Sequence, residues 1–164
     1  MQYLRPMNLY TVGYEGVALD QFVERLRLAE VQLVVDVRDV PLSRKRGFSK
    51  SALSAALSEA GLQYLHIREL GCPKPIRDQY RLDGDWKRYT VAFMDHLRQQ
   101  SAAVLDLAAV CRRSTAALLC YEADSTRCHR TYVARAVAGV VVGARVVHIA
   151  ADGVIPDRAL AAAA

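Results

Sequence analysis

No apolar run in this chain approaches the roughly 20 residues a membrane-spanning helix needs. The longest, Ala136–Ala144, is broken by Gly139 and Gly143, which excludes a helical membrane protein. The opening Met1–Tyr14 has no signal-peptide layout. The four cysteines, at 72, 111, 120 and 128, contain no C-x-x-C pair and no disulfide-like spacing. A reduced, cytoplasmic protein is therefore expected, with Cys111 and Cys120 as buried thiols. His66, Glu69, Glu122, Cys128 and His129 offer ligand types, but their spacings match no metal signature, so no metal is assigned. Gly13 and Gly16 bracket a tight turn without the full dinucleotide fingerprint, which argues against a nicotinamide or flavin; no cofactor is expected. Cys128-His129-Arg130 is too tight for the phosphate-cradling loop of a cysteine phosphatase. Internal repeats and linkers are absent as well.

What is present is one ordinary globular domain spanning 1–164, with a core over about 9–150. Apolar residues make up 52% and charged residues 24%, and 164 residues suffice to bury roughly 70% of the unfolded surface. Twenty-two Lys and Arg against 17 Asp and Glu give a net charge of +5, which moderately favours polyanionic partners. The terminal Ala161–Ala164 run reads as a frayed end.

Strands are predicted at Leu9–Tyr14, Leu33–Val37, Gln63–Ile67, Ala117–Tyr121 and Val146–Ala150, all solidly apolar. Between them fall helices at about Ala18–Glu30, from Ser49 or Lys50 to a stop at Gly61, and from Trp86 to Cys111, whole or broken near Ser101. Another helix follows the fourth strand and stops at Gly139. Leu70–Asp85, with two prolines, two glycines and alternating charges, reads as a long loop and a candidate lid. Such alternation predicts a three-layer, Rossmann-like α/β domain with a mostly parallel five-stranded sheet of order 3-2-1-4-5. Ligands bind such sheets beyond the carboxyl ends of the strands, where the winding reverses.

Chemistry-bearing residues gather at that edge. The first strand delivers Tyr14 and Glu15, the second Asp36 and Arg38, the third His66, and the fourth Glu122 ahead of Cys128, His129 and Arg130. With a helix starting at Thr126 or Arg127, capped by Ser125 or Thr126, Cys128 falls in the first turn, where free N–H groups and the dipole favour anions and thiolates.

Thr11-Val12-Gly13-Tyr14-Glu15-Gly16, Val35-Asp36-Val37-Arg38-Asp39-Val40-Pro41-Leu42-Ser43-Arg44, Gly47-Phe48, Tyr64-Leu65-His66, Glu69-Leu70-Gly71, Leu118-Leu119-Cys120-Tyr121-Glu122 and Cys128-His129-Arg130 together resemble the DUF488 family. The likeness spans most of 10–137 and departs at Cys72, where a second glycine would be expected. It implies a Rossmann-like sheet and a site at these positions, and supplies no reaction.

Cys128, His129 and Glu122 are the catalytic candidates, and Tyr14, Glu15, Asp36, Arg38, Arg44, His66 and Arg130 the binding candidates. Cys128 serves as a nucleophile or packs as a small core residue. His129 is an acid–base group or phosphate contact, or a solvent-facing helix residue. Arg130 pairs with Glu122 or Asp36; Asp36 and Arg38 share a strand face and can pair with each other. Arg38, Arg44, Lys45, Arg46, Lys50, Lys74, Arg77, Arg127 and Arg130 form a positive rim, or part of it is a solvated loop. Phe48 and Tyr80 could stack a base, or Phe48 anchors its loop. The favoured expectation is an enzyme-like domain binding a phosphate-bearing ligand, nucleotide or nucleic acid. The alternatives are a non-catalytic nucleic-acid-binding module and a thiol-dependent enzyme of small metabolites.

Overall fold

The computed structural model describes residues 6–158; the Ala161–Ala164 run lies outside them. A single sheet of six strands has the order β3-β2-β4-β1-β5-β6. Its strands are β1 Met7–Gly13, β2 Leu33–Asp36, β3 Gln63–His66, β4 Ala116–Cys120, β5 Ala144–Ala150 and β6 Gly153–Pro156. All pairings are parallel except the β5–β6 hairpin. As expected, β1 and β4 are neighbours, but β4 lies between β1 and β2. Both end in buried residues, Thr11–Gly13 and Leu118–Cys120, which fit either order; backbone bonds decide it, with Val37 N donating to Leu119 O at 3.1 Å. The sixth strand was unforeseen, because its residues are exposed and leave no buried run.

Alternate side chains along the strands face two helical layers. Val34, Ala117 and Leu119 pack with Phe22, Leu26, Leu53 and Leu57 of α1 (Leu19–Leu28) and α2 (Lys50–Glu59). Val35 and Leu118 pack with Phe93, Leu97, Leu107 and Val133 on the other face. Those belong to α4 (Trp86–Gln99), α5 (Ser101–Cys111) and α6 (His129–Val140). The break between α4 and α5 falls at Gln100, beside the expected Ser101. α6 runs one residue past Gly139, so that glycine is not its stop.

Leu70–Asp85 is not a loop. Lys74–Asp83 forms α3, with a proline in its first turn and Gly84 at φ 62° closing it. Proline is tolerated where no intrahelical N–H bond is needed, and the alternating charges are helix neighbours: Lys74 bonds Asp78, and Arg81 lies 3.3 Å from it. The expected lid is a structured wall.

A buried polar lock ties the carboxyl-terminal hairpin down. Arg135 donates to both oxygens of Asp157, at 2.8 and 2.9 Å. His148 bridges Asp157 Oδ1 at 3.2 Å and Thr11 Oγ1 at 2.7 Å. Burial, outweighing the pull of Asp157, holds the His148 pKa below its ordinary 6.5, so the bridge is a neutral hydrogen bond. Asp157, though burial opposes its charge, is held below the usual carboxylate range by Arg135 and His148. As pH falls below about 6.5 the unfolded chain takes up the His148 proton first, and stability is lost; Asp157 adds to the loss in stronger acid. His148→Gln is expected to cost about 1 kcal/mol at pH 7. The gap to wild type should narrow between pH 7 and pH 5 in urea melts; a gap independent of pH would contradict the neutral bridge.

No helix among the described residues is long and apolar enough to cross a membrane.

Candidate functional site

Parallel, in-register strands bring the carboxyl ends of β1, β4, β2 and β3 to one edge: Gly13 lies opposite Cys120, and Asp36 opposite both Leu119 and His66. Gly13 is required there. A Cβ on it would stand 1.9 Å from the Glu122 carbonyl oxygen, so glycine alone lets the loop after β4 settle on β1. Tyr14 N and Glu15 N then donate to Tyr121 O at 3.1 and 2.9 Å, and Ala123 N donates to Glu15 Oε2 at 2.9 Å.

Under this edge lies a fully satisfied ionic knot. Asp36, wholly buried, accepts from Arg38 Nε at 2.9 Å, Arg38 Nη2 at 2.7 Å and Tyr64 Oη at 2.5 Å. Arg38 Nη1 donates to Tyr14 Oη at 3.1 Å and to Phe48 O at 2.7 Å. Phe48, also wholly buried, stacks on Tyr14 with centroids 4.5 Å apart, and Lys45 Nζ donates to Tyr14 O at 3.0 Å. The basic loop is thus pinned by its own residues, and Phe48 is an anchor with no face left to stack a base.

The second cluster sits at the start of α6. Ser125–Arg127 is a 3₁₀ turn held by Asp124, and the α-helix proper begins at His129 with Cys128 as its N-cap. This places Cys128 just before the first turn and not within it. His129 Nε2 lies 2.7 Å from Val37 O, to which only an N–H can donate, and Nδ1 lies 3.7 Å from Cys120 Sγ. The sulfurs of Cys120 and Cys128 and an imidazole nitrogen all lie within 4.8 Å of one another. Arg130, 1% exposed, donates to the Glu122 carbonyl at 2.5 Å, so its partner is the backbone and neither expected carboxylate.

Burial opposes charge on Cys128, yet hydrogen bonding from Cys120 and His129 and the charge of Arg130 hold its thiol well below the ordinary range. His129 is raised in turn, against its own burial, by Cys128 and the Val37 carbonyl. The Cys120 thiol is pushed up by Cys128 and by burial. Burial and the neighbouring Cys128 push Glu122 to about 7, and burial pushes Cys72 to about 11. The Cys128 thiol and the His129 ring are thus shifted in opposite directions by their mutual contact.

Above both clusters opens a cavity of about 480 Å³. Five arginines line it, at 38, 44, 77, 81 and 127, against two acids, Asp39 and Glu122. Tyr80, Trp86 and Tyr89 form an aromatic wall, with Trp86 stacked on Tyr89 at 4.7 Å and the Arg127 guanidinium 5.7 Å from the Trp86 ring centre. Cys72, Cys120 and His129, all buried, complete this part of the lining.

A family model described as "Domain of unknown function DUF488" matches residues 18–137. The chain belongs to the DUF488 family. No curated protein and no solved structure matches it.

In this DUF488 domain the sequence-predicted residues divide into three groups. Tyr14, Arg38, Arg44, Glu122 and His129 line the cavity. Asp36, Cys128 and Arg130 are buried beneath it. Glu15 is exposed and binds Ala123 N, and His66 Nε2 lies 2.8 Å from Arg38 O, bracing the knot from behind. Within the positive rim, Lys45 is tied to Tyr14 O, and Arg44, Arg77 and Arg127 reach the lining. Sequence reasoning missed Cys120, Trp86, Tyr89 and Arg81. The aromatic spacing around Gly84 was the available signal for the wall; Cys120 offered none, since its strand reads as core.

Proposed function

We propose that this cavity binds a phosphate-bearing ligand of mononucleotide size, with Arg44, Arg77, Arg81 and Arg127 meeting the phosphate and the Trp86 wall meeting a base. Cys128, His129 and Glu122 are the candidates for chemistry at its floor; the reaction is left unassigned. One observation carries the reading: four arginines besides the occupied Arg38 line one cavity together with the Tyr80, Trp86 and Tyr89 wall. Arginine suits phosphate because its planar fork binds two oxygens at once. Among the described residues no ion pair engages Arg44 or Arg127, which leaves both guanidinium groups for a ligand. A volume of about 480 Å³ lies within the roughly 300–1,000 Å³ typical of small-molecule sites, favouring a nucleotide or a strand end over a nucleic-acid duplex. Four free, buried cysteines suit a reduced, cytoplasmic setting.

Thermal melts test the reading. Nucleoside 5′-monophosphates should raise the melting temperature, and the corresponding nucleosides should not. A ligand at a hundred times its Kd adds about 2.7 kcal/mol. Equal shifts with nucleoside and nucleotide would favour a small-metabolite enzyme in which phosphate plays no part. Binding only to long single strands, lost at moderate salt, would favour the nucleic-acid-binding module.

A further inference from the structure

We propose that Cys120, Cys128 and His129 form a zinc site on the floor of the cavity, with its fourth coordination position open to the ligand. No metal was expected from the sequence, because the spacings of His66, Glu69, Glu122, Cys128 and His129 match no signature and Cys120 reads as a core thiol. The fold makes the set by joining the end of β4 to the start of α6.

Three observations support it. The two sulfurs and an imidazole nitrogen lie within 4.8 Å of one another. Zinc bonds of about 2.3 Å to sulfur and 2.0–2.1 Å to nitrogen place two such ligands about 3.6 Å apart at a tetrahedral angle; Cys120 Sγ and His129 Nδ1 stand 3.7 Å apart. His129 is also oriented for this role. Its Nε2–H donates to the Val37 carbonyl at 2.7 Å, the outer-shell contact that fixes the tautomer of a metal-bound histidine and leaves the other nitrogen's lone pair facing the metal. Finally, the Glu122 carboxyl adjoins Cys128, and its Oε2 is buried without a geometrically sound hydrogen bond. A carboxylate there would be satisfied by a water or ligand atom held at the fourth position.

The donor set selects the ion. Two thiolates and one imidazole in a tetrahedral arrangement suit zinc, whereas magnesium and calcium require oxygen ligands. Three protein ligands and an open position are the pattern of a catalytic site; a structural site is closed by a fourth side chain. Cys120 and His129 line the same cavity as the arginines, whereas Cys128 is buried behind them, so the site borders the space a ligand would enter. The assignment does not depend on what ligand the cavity takes, because it is read on the ligand-free chain.

Cobalt(II) is the probe. The full chain, reduced and stripped with a chelator, is titrated with Co²⁺ and then with Zn²⁺. One equivalent of cobalt should bring up a thiolate-to-cobalt charge-transfer band and the visible bands of a tetrahedral ion, and zinc should abolish both. Cys120→Ser and Cys128→Ser should each weaken cobalt binding more than about 100-fold, beyond the 10–100-fold typical of losing an outer-shell partner. Cys111→Ser, at a buried thiol in the α5 core, should leave the bands intact. Circular dichroism on each variant separates a lost site from a lost fold, and the wild-type titration stands without any variant. No charge-transfer band in the reduced wild-type chain would overturn the site, as would a band that persists unchanged in folded Cys120→Ser or Cys128→Ser.

Discussion

Asp36→Ala is expected to lower folding stability by about 3–5 kcal/mol, the usual result of removing one partner from a buried ion pair. Asp36 and Arg38 are both almost wholly enclosed, at 0% and 6% exposure. The carboxylate takes three side-chain hydrogen bonds, two from the guanidinium and one from Tyr64. Without it, Arg38 keeps its charge, because no accessible pH deprotonates a guanidinium, and that charge is left almost wholly enclosed at the cavity wall without a counter-ion. Tyr64 loses its acceptor as well. The loss should spread to the site, since Arg38 also holds Tyr14 Oη and Phe48 O, which seat the loop carrying Arg44. Urea melts would show the midpoint fall. Asp36→Ala with Arg38→Met should recover part of the loss, because well-packed apolar residues often replace a buried pair with little cost. A loss under about 1 kcal/mol, the worth of an exposed pair, would mean that the knot is open to solvent.

Arg44→Ala with Arg127→Ala is expected to weaken nucleoside monophosphate binding by at least about 100-fold, while stability stays nearly unchanged. A hydrogen bond to a charged group is worth about 1.5–3 kcal/mol, and neither arginine holds the fold through an ion pair. Arg127 also covers the Trp86 ring, so its loss removes a contact to the base wall as well as a charge. Arg46→Ala is the control: it is exposed on the same basic loop and lies outside the cavity lining. Calorimetric titration of the three proteins should give wild-type affinity for Arg46→Ala and a weak or absent isotherm for the double variant. Equal losses in both would assign binding to the net charge of the loop and not to the cavity.

The layers, the parallel sheet and its loaded carboxyl edge were legible because buried parallel strands are apolar on both faces, and because residues following such strands can emerge only at one edge. Strand order was less legible, since β1 and β4 both end in buried runs that suit either central position. α3 was hidden because its proline and charges read as loop signals, whereas in a helix they are a permitted first turn and ion pairs one turn apart. Arg38 and Arg130 show a different limit. A guanidinium in a motif reads as a ligand contact until its partners are seen, and here Asp36, Tyr14, Phe48 and the Glu122 carbonyl occupy them. Cys120 was invisible as a site residue because strand burial and site position coincide at the last residue of a central strand.

Trp86 offers the most direct reading of the central claim, since it is the chain's single tryptophan and stands in the cavity wall between Tyr89 and Arg127. Emission from wild-type protein should change saturably as a nucleoside 5′-monophosphate is added and should return when excess inorganic phosphate competes. Emission that stays constant to millimolar nucleotide, in protein shown to be folded, would contradict a phosphate-bearing ligand in this cavity.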